Sequence, residues 1–481
     1  MFQNIVLFKN QKIKNCVCLF LILLLVLGCK NKEDEDNSKN INPPKERADT
    51  EGLLTWIQKC HFEYMWSGAR PNSGLARVRY FTDNPSHDEN TLTIGACGFG
   101  IMGLIVGIER GFITREQGLA RFEKIISFLE KADRWHGMYS HWIDDRTGKT
   151  IAFAGSGGED DGADIVETSF LTAGLLCVRQ YLKDGTDREK AIAERIDVIW
   201  RAMEWDWFAA NDNRHSTDAN IDPKDDCLLW HWSPTVGFKK NFHLEGYNEC
   251  LLPYILAAAS PAFSLSDEQA KASYKNGWSR KGGIVNNGSR YGVPFLVKHN
   301  SGVNEVGPMF WVAFSYAGLC LEGYKDENGI DYHKAIGNHA LIQYQYCLDN
   351  PKKWKTYSEN CWGLSAGYTS NITTDYQAMR TNNDVGVITS NAALIAMPYT
   401  PVQSIAAAKH YFWDIPGLMG PWGFWDAYSD SEGVITRYLA NNQCPVAPLI
   451  ENYRTGLLWN LFMSSPEIKI GLQKLGFVSV K

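Results

Sequence analysis

Three carboxylates stand at Asp160, Asp164 and Glu167, at positions i, i+4 and i+7. On one helical face they repel one another unless something uses them. The chemistry open to them is binding of sugar hydroxyls, general-acid work at a raised pKa, or holding a cation. The plain alternative is capping of the helix that follows, which needs one carboxylate and not three. A fourth acid, Glu249, sits between Asn248 and an apolar run over 250–259. Desolvation at such an edge suits a general acid, and capping is again the bland alternative. A fifth, Asp426, is embedded in Trp422-Gly-Phe-Trp-Asp-Ala-Tyr428. An acid among rings reads as a sugar subsite with a carboxylate in reach, or as a core aromatic cluster closed by an Asp turn.

Other constellations carry less. Histidines cluster with aromatic residues in Trp135-His-Gly-Met-Tyr-Ser-His141-Trp142 and Trp230-His-Trp232. No HExxH accompanies them, so a zinc centre is not expected; calcium at the acidic, Gly-rich Glu159-Asp-Asp161 is the better metal option, and no metal or cofactor is assigned. Gly363-Leu-Ser365-Ala-Gly367 fits GxSxG, but no buried strand precedes it to form a nucleophile elbow. Gly98-Phe-Gly100-Ile-Met-Gly103 fits GxGxxG inside an apolar helical run, where the glycines serve close helix packing rather than a phosphate.

These residues belong to a chain of 481, with 48 Lys plus Arg against 54 Asp plus Glu and a net charge of -6. Without a long basic run, a nucleic-acid partner is not expected. The 17 Trp, 21 Tyr and 22 Phe are enough to serve both a core and stacking on sugar faces.

The elements that must position the acids read as helices from residue 50 onward: 53–65, 93–109, 115–132, 167–182, 187–205, 248–259, 309–322, 332–347, 390–397, 402–412 and 448–463. Short alternations near 74–80 and 138–153 suggest hairpins. Apolar, Ala/Gly-rich helices alternate with amphipathic ones; the first kind must be buried all round, the second on one face. An inner ring of helices wrapped by an outer ring satisfies both, so the expectation is an all-α, (α/α)6 toroid with short β-hairpins in its loops, forming one domain over 50–481. The inner helices would then begin at one mouth. There the loops carrying 157–164, 243–249, Asn304-Glu305, Asn382-Asn-Asp384 and 423–426 converge, at helix N-termini that favour carboxylates.

The N-terminus reads as an address. Lys9, Lys12 and Lys14 precede thirteen apolar residues from Cys16 to Gly28, too few to span a bilayer as a helix. Val26-Leu-Gly-Cys29 resembles the lipobox of bacterial lipoproteins, which implies a signal peptide over 1–28 and lipidation of Cys29. The polar stretch over 29–49, with its acidic Glu33-Asp-Glu-Asp36, reads as a solvated tether and resembles the surface-export signal of Bacteroidetes lipoproteins. Outer-membrane anchoring with surface exposure is expected, a periplasm-facing lipoprotein being the alternative. Of twelve cysteines, nine follow the tether without a CxxC pair, so no zinc ribbon or disulfide framework is indicated.

Several segments resemble the bacterial glucoamylase-like proteins that include glycoside hydrolase family 144. They are Asp160-Asp-Gly-Ala-Asp-Ile-Val-Glu167 and its continuation to Leu175, Gly246-Tyr-Asn-Glu249, Ser260-Pro261, Trp362-Gly-Leu-Ser365, Pro421-Trp-Gly-Phe424 through Asp426-Ala, and Ile450-Glu-Asn-Tyr-Arg-Thr-Gly-Leu-Leu-Trp459. The resemblance implies an (α/α)6 barrel, inverting hydrolysis of β-1,2-glucans, and Asp160, Asp164, Glu167 and Glu249 as the acidic cleft residues. Two departures stand out. Asn442-Gln-Cys-Pro445 replaces an Asp-Gln-Gly-Pro pattern, and Ser365-Ala-Gly367 stands where an Asp is expected. The expected roles are Glu249 as acid, Asp426 as leading base, and Asp164 and Glu167 as assistants. Trp362, Trp422 and Trp425 would stack on sugars beside Asp160, and Arg454 would orient a carboxylate. The expected partner is a glucan, met by a tethered monomer; the alternatives are a glycan-binding lipoprotein with impaired catalysis, or a hydrolase of another glucan linkage.

Overall fold

The computed structural model describes residues 41–153, 158–222, 226–279, 288–297, 299 and 306–480. Cys29, the signal segment, most of the tether, and the Asn304-Glu305 loop lie outside the described residues. In chain order the helices are α1 (Thr50–Trp66), α2 (Ile94–Arg110), α3 (Arg115–Leu129), α4 (Ile165–Leu182), α5 (Asp187–Arg201), α6 (Leu251–Ala259) and α7 (Asp267–Ser273). They continue with α8 (Tyr332–Asp349), α9 (Ala392–Ile395), α10 (Pro401–Trp413), α11 (Ala440–Gln443), α12 (Val446–Thr455), α13 (Leu457–Met463) and α14 (Pro466–Lys474). Among the described residues no helix is long and apolar enough to cross a membrane.

The two helix types separate by burial. Nearly every residue of α2 and α4, and all of α6, is buried, whereas α3 and α5 bury one stripe. The first kind neighbour one another: α2 packs on α4 and on α12, α4 on α6, and α9 on α12 and on the Met309–Val312 turn. The amphipathic helices back them, α3 on α2 and α5, α5 on α4, α14 on α6, and α10 on α9. The α2–α4 pair is the tightest because glycines face each other there. A Cβ on Gly98 would stand 2.0 Å from the Phe170 carbonyl oxygen, and one on Gly174 would stand 2.3 Å from the Gly98 oxygen. Within the GxGxxG match, Gly98 is therefore a packing residue, and Gly100 gives room to Met65.

Residues 309–322 do not form the expected long helix. A single 3-10 turn over Met309–Val312 is followed by further turns, held by i to i+3 bonds such as Ala313 N to Phe310 O. The Ser315 hydroxyl meanwhile bonds the Glu249 carbonyl and accepts from Leu252 N. A hydroxyl that ties this segment to the start of α6 competes with a local helical ladder. At the C-terminus the expected helix over 448–463 breaks at Gly456, which adopts φ 70°, into α12 and α13.

Every strand pair is short and antiparallel, and the pairs sit in the loops where they aim side chains. Thr91–Thr93 pairs with Trp142–Asp144, and Arg79–Phe81 with Arg437–Leu439. Ala163–Asp164 pairs with His231–Trp232, placing Asp164 opposite His231. Ala366–Tyr368 pairs with Tyr376–Ala378, placing Tyr368 opposite Tyr376. Among the described residues no disulfide joins the nine cysteines from Cys60 onward, and all but Cys320 are buried.

Candidate active site

A cavity of about 660 Å³ opens where α2, α4 and α6 begin. Glu167 and Glu249 line it, together with Arg79, Asn441 and Asn442, and with a wall of rings from Trp142, Phe153, Phe170, Trp230, Phe310, Phe314, Tyr368 and Tyr376. Rings beside a few convergent polar groups suit a ligand with apolar faces and hydroxyl edges.

Glu167 lies in the first turn of α4. Its Oε2 accepts the backbone N–H of Gly95 at 2.9 Å, and a Cβ on Gly95 would stand 2.4 Å from that oxygen. Only glycine lets the α2 backbone serve this carboxylate. Burial pushes Glu167 up to about 7, with the Asp164 charge raising it further against the pull of His141. Glu249 precedes α6. Burial, aided by the Glu167 charge, pushes it up to about 7, while the Trp311 side chain draws it down. Two carboxyls of one cavity in this range can divide the roles of proton donor and acceptor near neutrality.

Beside Glu167 is an ion-pair cluster. His141 Nδ1 is 3.1 Å from Asp164 Oδ2 and 3.8 Å from Asp160 Oδ2, and His141 Nε2 is 3.9 Å from Glu167 Oε1. His231 Nε2 is 3.2 Å from Asp160 and 3.7 Å from Asp164. Burial alone would depress the His141 imidazole, but the charges of Glu167, Asp164 and Asp160 and the Asp164 hydrogen bond outweigh it and hold it up at about 9. For Asp164, burial opposes the charged form, yet the His141 bond and the two imidazoles prevail and keep the carboxyl below its ordinary range. Asp164 Oδ1 also caps α4, accepting from Val166 N and Glu167 N at 2.9 Å each, and holds Trp230 Nε1 at 3.0 Å. Capping and site-building are thus one carboxylate's work.

Asp426 does not face the cavity. It is fully buried, with Oδ2 accepting Tyr368 N at 2.7 Å and Oδ1 accepting Asn442 Nδ2 at 2.6 Å. Burial pushes it up to about 6 against those two donors. Asn442 lines the cavity, so its amide stands between Asp426 and the open space.

The structure brings Asp160, Asp164, Glu167 and Glu249 together and separates four other expected site residues from them. Trp362 is wholly buried, edge-on to Tyr344, and no ligand reaches its face. Trp425 is nearly buried, stacked at 4.2 Å on Tyr438, and is not part of the cavity wall. Trp422 packs edge-on against Tyr64 and Tyr80 and bonds Ser67 through Nε1. Arg454 binds Glu51, Thr55 and Gln58, tying α12 to α1, and orients no cavity carboxylate. The wall instead comes from Trp142, Trp230, Tyr368 and Tyr376. Two of these flank the His141 and His231 motifs singled out in the sequence; nothing in the spacing of Tyr368 and Tyr376 marks them except their place on a hairpin.

The family described as "Putative glucoamylase" matches residues 241–466. An endo-β-1,2-glucanase from Chitinophaga pinensis, solved with sophorotriose and glucose, is 44% identical with a TM-score of 0.81, over 89% of this chain and 99% of that one. The chain belongs to this glucoamylase-like family. Another member of the family, an exo β-1,2-glucooligosaccharide sophorohydrolase of Parabacteroides distasonis, is 39% identical over 458 residues, or 92% of this chain. The chain spans about 60% of that relative's length. An endo-β-1,2-glucanase of Talaromyces funiculosus, 11% identical with a TM-score of 0.60, shares the helical fold of the glucoamylase-like family alone.

Proposed function

We propose that the protein is a glycoside hydrolase that cleaves β-1,2-glucan with inversion, on an (α/α)6 toroid anchored to the outer membrane through Cys29, surface-exposed and monomeric. The observation that carries the reading is the pair Glu167 and Glu249, both raised to about 7 inside one aromatic-walled cavity. The activities of the Chitinophaga and Parabacteroides relatives support the linkage. The neighbour relations of α2, α4, α6, the 309–322 segment, α9 and α12, each backed by an outer element, support the six-fold ring.

In this reading Glu249 is the general acid that protonates the leaving glycosidic oxygen. The activated water loses its proton to a second carboxylate across the sugar, as inversion requires with carboxyls roughly 6.5–9.5 Å apart. Glu167 replaces Asp426 as the leading base, because it faces the cavity and His141 favours its ionised form. Once charged, Glu167 in turn keeps Glu249 protonated. Asp426 positions the Tyr368 backbone and the Asn442 amide. Turnover of linear β-1,2-glucan by Glu167→Gln and Asp426→Asn separates the two. The assignment expects the first to lose far more turnover, and the reverse order returns the base to Asp426.

Asn442 favours a second reading, a glycan-binding surface lipoprotein. An amide in the cavity wall, where the resembling family carries Asp, leaves a site that still binds sugars but lacks one carboxylate. Retained binding without turnover by the unaltered chain would select it.

A further inference from the structure

The aromatic wall continues past Trp230 to the rim of the cavity. Trp230 N donates to the Phe242 carbonyl at 2.9 Å, and Leu229 bridges His243 in antiparallel register, so Phe242 returns alongside Trp230. The two rings meet at 5.3 Å and 66°, and Phe242 stands 6.4 Å from the His231 ring. Trp230 itself is locked by its bond to Asp164 and lines the cavity. Phe242 is 52% exposed, more than any other aromatic ring among the described residues, with exposed, polar Asn241 beside it. A second rim ring, Tyr376, lines the cavity while remaining 48% exposed.

An isolated exposed ring needs no explanation. This one abuts a cavity-wall tryptophan across a strand pair, and so extends the same aromatic surface into solvent. We propose that Phe242 is an outer sugar-stacking site, taking a pyranose ring of the glucan chain where it leaves the cavity past Trp230. The occupant is the remainder of the bound polysaccharide, because the surface is continuous with the cavity and an apolar face with flanking polar groups matches a pyranose. This rests on the cavity being the glucan site proposed above, and makes Phe242 a determinant of chain-length preference.

The test is calorimetric titration of the full-length chain in detergent with β-1,2-linked trisaccharide and with long linear β-1,2-glucan. Glu249→Gln serves as background so that neither ligand is consumed. Adding Phe242→Ala is expected to weaken the long glucan by roughly tenfold and leave the trisaccharide unchanged, while Phe242→Trp restores long-chain affinity. Equal weakening of both ligands, or no change in either, overturns the outer site. Failure of the unaltered chain to bind β-1,2-glucan of any length overturns the cavity reading, and Phe242's role with it.

Discussion

At Glu249 the same burial that makes a useful acid also burdens the fold. Its carboxyl titrates near 7 when folded and near the ordinary glutamate value when unfolded. A raised folded value means that stability present below about pH 4.5 is lost as pH rises through 7. Glu249→Gln is therefore expected to be more stable than the parent at pH 8 by up to about 3 kcal/mol, read as a higher thermal midpoint, and to differ little at pH 4.5. Its turnover is expected to fall by roughly 10²–10⁴. A variant with parental turnover would remove Glu249 from the acid's place. In the parent, kcat is expected to fall as pH rises above about 7, where Glu249 loses its proton, and a pH–rate profile flat to pH 9 would contradict this. The acids at 160, 164 and 167 were legible because clustered carboxylates are costly and seldom idle, and Glu249 because it stands at the edge of an apolar run. The tryptophans were not. Trp362 and Trp230 look alike in sequence, and only the tertiary bond from Trp230 to Asp164 at the cavity distinguishes them.

At the scale of elements, the site depends on how closely α2 approaches α4. Gly98 and Gly174 let the backbones meet, and Gly95 lends its N–H to Glu167. Gly98→Ala places a methyl on the Phe170 carbonyl, and overpacking at such a point costs roughly 1–3 kcal/mol or more. A clear fall in the thermal midpoint is expected, and an unchanged midpoint would show that the pair is looser than described. Gly98 was legible as a packing residue because its GxGxxG spacing lay in a continuous apolar run, whereas Gly95 and Gly174 carried no such signal. The Ile450–Trp459 segment carried part of the family resemblance, but its work was not legible. Glu451 is buried under a two-pronged bond from Arg110, with both contacts at 2.7 Å, and Asn452 Oδ1 accepts from Leu458 N and Trp459 N beyond the Gly456 break. The segment joins α12 to α2 and α13. Arg110→Ala, which strands a buried carboxylate, is expected to cost about 3–5 kcal/mol in denaturant unfolding. The 309–322 segment escaped sequence reading because its apolar content suits a helix, while a tertiary bond to the loop before α6 decides its path.

For the whole molecule, two sets of buried groups pull stability in opposite directions with pH. His141, held up at about 9, contributes stability that is complete below about 6.5 and lost as pH rises through 9. His299 and His339 are buried 4.4 Å apart around Gly307, whose N–H is accepted by His299 Nδ1 and whose carbonyl bonds His339 Nε2. Burial depresses both, His339 to about 4. Stability is then lost as pH falls from about 6.5 toward 4, where the unfolded chain binds protons that the folded one refuses. Relative to the parent, His339→Gln is expected to lose less stability as pH falls from about 6.5 to 4, and an equal acid-side decline in the two thermal midpoints would contradict this. The helical architecture was legible from alternating burial patterns because that alternation is a property of the entire chain. The cavity was legible only as a meeting of loops.

The measurement that bears most directly on the account is product analysis of the full-length chain and its Glu249→Gln variant on linear β-1,2-glucan, with laminarin and starch alongside. Short β-1,2-linked oligosaccharides are expected from the parent alone, released with inverted anomeric configuration, with no products from the other glucans. Binding of β-1,2-glucan without any turnover by the parent would contradict it and make the protein a glycan-binding lipoprotein.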